Sequence, residues 1–164
     1  VAQKHVAVVE GAHASWLIMD SLDQTDVTPG KLGEAKLAWV DRTLRDLPER
    51  PVIAFVHHNP QGPVEDGKKK GGLLDTDALL ALFEKHLKVK ALIFGHTHHW
   101  NVQTDAKTGL HLINLPPVGY AHRPDRPVGW VDATLDAGGI NLELRSLDPV
   151  HPEHGQRHEL KWRV

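Results

Sequence analysis

The 164-residue sequence contains no cysteine. That excludes disulfides, a zinc–thiolate site and a thiol nucleophile. It also lacks any apolar run near the roughly 18 residues of a membrane span, so no span is expected. Charge of one sign is missing too: Lys and Arg number 19, Asp and Glu 21, and the net charge is −2 with histidine neutral. Neither a basic surface for nucleic acid nor an acidic tail is expected from that balance. No internal repeat, low-complexity tract or linker breaks the chain. With 40% hydrophobic and 24% charged residues the composition is globular, and the length suffices for a single domain, 1–164, with a sizeable core. Nothing in it assigns a compartment.

What the sequence has in abundance is histidine, thirteen in all. They cluster at 57–58, at 96–99 and near the end of the chain at His151, His154 and His158. The organising stretch is Ala91 to Trp100, an apolar run that ends in Gly95 and releases His96, His98 and His99. In extended chain alternate side chains point the same way, so His96 and His98 are expected to face one site. Gly95, without a Cβ, is expected to let the backbone turn sharply or approach an ion.

Residues 5–9 and 15–20 read as two short strands around a turn at Glu10–His13. Residues 31–47 carry Leu32, Leu37, Val40, Leu44 and Leu47 at helical spacing, and Pro48 and Pro51 close that helix. Val52–Val56 is continuously apolar, as suits a strand buried on both faces. A glycine-rich loop with the Lys68–Lys70 run follows over 61–74, and this charge run is read as solvated. A second helix is expected over 76–87, capped by Asp75 or Thr76, before the strand 90–94. Strand–helix–strand is a βαβ unit, so its two strands should be parallel and should release His57 and the pair His96/His98 at the same edge. Past residue 98 the pattern changes to short strands near 100–104, 110–114, 129–135 and 140–146, with hairpin turns at 105–109 and 137–139. The chain thus reads as an α/β part, 1–98, and a mostly antiparallel part with a tail, 99–164.

His57, His96 and His98 form the expected ligand set, because neutral imidazole binds Zn, Fe, Mn or Ni. His58, Asn59 and His99 sit beside them, placed to orient ligands or touch substrate. Asp20 closes a strand before a polar loop and reads as a turn-capping residue. His122–Arg123, in a proline-rich loop, is a candidate phosphate contact, and the C-terminal histidines read as surface.

Val56-His57-His58-Asn59-Pro60 followed by Gly95-His96-Thr97-His98 resembles the last two motifs of the calcineurin-like metallophosphoesterases. Leu17–Ser21, Gly30-x-Leu-Gly33 and Leu37–Val40 are similar to the segment that precedes them in the cyclic-nucleotide phosphodiesterase and purple acid phosphatase branches. The likeness covers about residues 5 to 145. It implies a four-layer α/β sandwich with two mixed sheets. It also implies two divalent or trivalent ions (Fe, Mn or Zn) that clamp a phosphate ester and a hydroxide, His57 and His96 serving one ion and His98 the other. The family's earlier motifs, Asp-x-His, Gly-Asp and Gly-Asn-His-Asp/Glu, do not occur here. The chain therefore resembles the C-terminal half of such a domain, N-terminally incomplete and inactive alone. The other half is expected in cis or as a separate chain. The start at Val1, without Met and strand-like within a few residues, fits that expectation. The alternative is a non-catalytic metal-binding or interaction fragment.

Overall fold

The computed structural model describes residues 5–61 and 71–164. The Lys68–Lys70 run and most of the glycine-rich loop lie outside the described residues. A six-stranded sheet runs in the order β1-β2-β3-β4-β6-β5. Its strands are β1 (Val6–Glu10), β2 (Ser15–Met19), β3 (Val52–Val56), β4 (Val89–Phe94), β5 (Asn101–Thr104) and β6 (His111–Asn114). Helices α1 (Glu34–Asp46) and α2 (Thr76–Lys85) connect β2 to β3 and β3 to β4. A second sheet holds β7 (Gly129–Leu135), β8 (Gly139–Ser146) and β9 (Arg157–Lys161), antiparallel throughout.

The central strands are apolar on both faces because both faces are covered. On one side Val52, Ala54 and Val56 of β3 pack with Val40 and Leu44 of α1 and Leu79 and Phe83 of α2. On the other, Ile53 packs with Ala91, Ile93 and Ile113 and with Ile140, Leu142 and Leu144 of β8. Burying each such side chain contributes about 1.5–3 kcal/mol, which makes these two contact layers the main source of stability. Helices, large sheet and small sheet are three layers of a mixed α/β sandwich.

The expected βαβ unit is present, with β3 and β4 parallel. The parallel set is larger than that: β2 pairs parallel with β3, and β6 with β4. The antiparallel expectation for the second half holds for β5–β6 and for the small sheet, while β6 inserts beside β4. The reason is local. β5 turns back through Asp105–Gly109 at the sheet's rim, and the buried place next to β4 goes to the more apolar β6.

The helix starts also differ from expectation. Asp75 does stand at the N-cap position of α2, but its side chain does not cap that helix. Its carboxylate instead accepts from the amides of Leu32 and Gly33, at 3.1 and 2.7 Å, at the entrance to α1. Thr76 donates its hydroxyl to Leu73 O and accepts from Gln61 N. Both residues tie separate loops together rather than closing their own helix.

Candidate metal centre

Four parallel strands end on one edge, and the site is built from what each releases there: Asp20 and Ser21 after β2, His57 and His58 after β3, Gly95 to His98 after β4, and Asn114 at the end of β6. Backbone bonds knit these ends. Gly95 N donates to His57 O at 3.1 Å and Leu115 N to Phe94 O at 2.8 Å.

Three imidazoles converge. One ring nitrogen each from His57, His58 and His96 lies within 4.8 Å of the others, and no carboxylate belongs to this group among the described residues. His96 Nδ1 is 3.3 Å from His57 Nε2. His58, at 6% exposure, is the buried member. Its Nδ1 lies 2.7 Å from Ser21 Oγ, which also accepts from His58 N at 3.3 Å. A partner on Nδ1 orients the ring, as hydrogen-bonded neighbours do for ligating histidines. Gly30 backs the ring closely: a Cβ there would stand 2.1 Å from His58 Nδ1.

Loss of water on folding, and next the neighbouring imidazoles, hold both His57 and His58 below the ordinary histidine pKa. His96 is the first of those neighbours for each; His98 acts on His57 as well. Both rings are thus biased toward the neutral, metal-binding form. The donor set and its protonation suit a first-row transition ion.

His98 is placed apart from this trio. Its ring stacks on His122 at 4.1 Å and 17°, with Tyr120 edge-on at 5.0 Å. Its buried Nδ1 has no hydrogen-bond partner among the described residues. The expectation that His96 and His98 share a face by strand alternation is corrected here. Both follow the end of β4, with left-handed backbones, φ 69° at His96 and φ 51° at His98. Thr97 N donates to Gly95 O at 2.8 Å and closes a three-residue turn around His96. The turn's unusual φ values therefore belong to histidines and not to Gly95, where an added Cβ would meet nothing within 4 Å. Left-handed backbone at a non-glycine residue costs about 1–3 kcal/mol, and such strain persists only where surrounding structure enforces it.

Two residues enforce it, and nothing in the sequence marked either. Arg126 Nη1 donates to Thr97 O at 2.8 Å and to His98 O at 3.3 Å. Asn114 Nδ2 donates to Thr97 Oγ1. Hydrogen bonds from a charged donor contribute about 1.5–3 kcal/mol each, enough to offset strain of this size. Ser21 was visible as the residue after a strand, and only the fold set it against His58.

The remaining candidates are placed as follows. His99 is exposed and outside the trio. Asn59 Nδ2 donates to Pro60 O, a local loop contact. Asp20 accepts from Leu22 N at 2.8 Å, the turn-capping role expected of it. His122 stacks on His98, while Arg123 pairs with Asp125 at 2.7 Å.

The family model described as calcineurin-like phosphoesterase matches residues 4–100. The 3',5'-cyclic adenosine monophosphate phosphodiesterase CpdA of Escherichia coli strain K12 is 32% identical over 135 residues, covering 79% of this chain and 46% of that protein. A probable glycerophosphodiester phosphodiesterase, GpdQ of Arcobacter nitrofigilis, is 31% identical over 94 residues, 52% of this chain and 34% of that one. The chain thus spans about half, or less, of the length of these relatives. Among solved structures, a dimetal phosphatase from Danio rerio shares the fold with a TM-score of 0.68 at 16% identity, over 92% of this chain and 58% of that one.

Proposed function

The chain belongs to the calcineurin-like phosphoesterase family, and from that premise we propose that it carries the histidine ligands of a metal centre that hydrolyses phosphodiesters. The observation that carries this reading is the convergence of His57, His58 and His96 within 4.8 Å at the carboxyl edge of parallel strands. The phosphodiesterase names of the Escherichia coli and Arcobacter relatives favour diesters over other phosphate esters. A metal held by these residues would neutralise charge on the phosphoryl oxygens and acidify bound water.

The chain's own residues hold and orient. His57 and His96 present facing nitrogens at the strand ends. Ser21 fixes the ring of His58, which joins them. His98, with its unpartnered buried Nδ1, is the donor for a second ion. Tyr120 and His122 wall that side, where a substrate's leaving group would lie. Iron, manganese and zinc all suit such donors.

Carboxylate ligands come, in this reading, from polypeptide beyond these 164 residues, in cis or as a separate chain. Two features support this: no carboxylate joins the trio among the described residues, and the chain matches about half of its relatives' length. An uncovered face of the large sheet offers the seat. Val9 and Ile18 are 50% and 43% exposed and line an almost wholly apolar depression with Trp16 and Phe55. Phe55 is two residues from His57, so an occupant of this face reaches the metal edge.

The test is metal content by elemental analysis of the purified chain, then hydrolysis of bis(p-nitrophenyl) phosphate with and without the remainder of the domain. Metal bound through His57, with turnover once the remainder is supplied, supports the reading. Metal binding with no turnover in the complete protein favours a non-catalytic metal-binding module. No binding at all refutes both.

A further inference from the structure

We infer that Arg126 is the positioning residue of the metal edge: its guanidinium locks the strained turn 95–98 and so sets the aim of the His96 and His98 imidazoles. This rests on the metal-centre reading above.

Thr97 sits between two histidines with left-handed backbones. Each of its polar groups is engaged in holding the turn. Its N–H donates to Gly95 O, its Oγ1 accepts from Asn114 Nδ2, and its carbonyl accepts from Arg126 Nη1. The same Nη1 reaches the carbonyl of His98. Arg126 therefore grips the two peptide units that flank His98, the first of which continues from the turn around His96. Asn114 comes from β6, inside the sheet, and holds only the side chain of Thr97. Without the guanidinium, the carbonyls of 97 and 98 lose their shared donor, so His98 can relax toward ordinary negative φ and the turn around His96 loses its anchor at Thr97. A change of backbone φ at a residue swings its side chain away from its partners, so the 3.3 Å approach of His96 to His57 and the stacking of His98 on His122 would both be lost.

The arrangement also links a distant loop to the site. Arg126 belongs to the segment between β6 and β7, pinned at its ends by Leu115 N to Phe94 O and Gly129 N to Pro117 O. The same segment carries Tyr120 and His122 against His98. One loop, 28 residues past His98 at Arg126, thus grips the turn from its carbonyl side and covers its ring. A lysine in place of Arg126 keeps the charge but, as a point donor on a flexible stem, does not reproduce a rigid planar grip.

The experiment is titration of the full chain with Co(II), read by affinity and by the visible d–d spectrum, for wild type, Arg126→Ala, Arg126→Lys and Arg123→Ala. Loss of an orienting residue outside the ligand set typically weakens metal binding 10–100-fold. Arg126→Ala should weaken Co(II) by at least about tenfold and alter the spectrum, because the ligand geometry changes. Arg126→Lys should recover part of the affinity. Arg123→Ala, which removes an exposed ion pair in the same loop, should match wild type. If Arg126→Ala does not fold, by circular dichroism, the lysine variant carries the test through its spectrum. Wild-type affinity and spectrum in both Arg126 variants overturn the inference alone. Absence of Co(II) binding by the wild-type chain overturns the metal-centre reading and the inference with it.

Discussion

Replacing Gly30 by alanine tests the site through packing. The new Cβ would stand 2.1 Å from Nδ1, 2.4 Å from Cγ and 2.7 Å from Cε1 of the His58 ring. Ordinary contact begins near 3.4 Å, so something must move by more than an ångström. Neither side moves cheaply. The ring is 6% exposed and tied to Ser21 Oγ at 2.7 Å. The Gly30 backbone is held by Gly30 N to Gly72 O and Leu74 N to Gly30 O, at 3.1 and 2.8 Å. Overpacking of this kind costs about 1–3 kcal/mol, and displacing His58 from Ser21 adds about 1 kcal/mol for a lost buried hydrogen bond. The total is about 2–4 kcal/mol. At roughly 2–4 °C per kcal/mol for a chain of this size, the melting temperature should fall by about 4–16 °C. Metal affinity should fall with it, because the displaced imidazole belongs to the trio. The assay is thermal melting by circular dichroism, with Co(II) titration of the folded variant. Melting within about 1 °C of wild type with unchanged affinity would refute the packing argument.

Further outcomes follow from the same geometry. His96→Gly removes a left-handed non-glycine residue, so the metal-free chain should melt about 2–4 °C higher for each kcal/mol of strain relieved, while metal binding is lost; a lower melting point would sink the strain argument. Gly95→Ala meets open space and should leave stability unchanged or raised by up to about 1 kcal/mol, measured by urea unfolding. Because His57 and His58 are held below the ordinary histidine pKa, the unfolded state binds protons more readily as pH falls below about 6.5. Melting of the metal-free chain should therefore drop between pH 7.5 and 5.5, less steeply in His58→Gln; a rise on acidification contradicts the assignment. Leu144→Ala, at a fully buried contact between the sheets, should cost about 2–5 kcal/mol in urea unfolding, and a cost under 1 kcal/mol would mean that the small sheet is not seated as described.

Local chemistry wrote much of this protein into its sequence. The unbroken apolar run Val52–Val56 and its counterpart before Gly95 specify strands buried on both faces, and the helical spacing between them specifies a parallel crossover. Parallel strands release their ends at one edge, so the meeting of His57 and His96 was legible before any coordinates. Sequence by itself did not determine what depends on contacts between distant residues. The ring of His58 joined the trio because Ser21, 37 positions away, turns it there and Gly30 makes room. His98 left the trio because alternation holds only in extended chain, and the backbone is left-handed at His96 and His98. That backbone exists because Asn114 and Arg126 arrive from later elements to satisfy Thr97. Periodicity is a property of neighbours along the chain. Strain and side-chain aim are set by neighbours in space, and only the tertiary structure decides which those are.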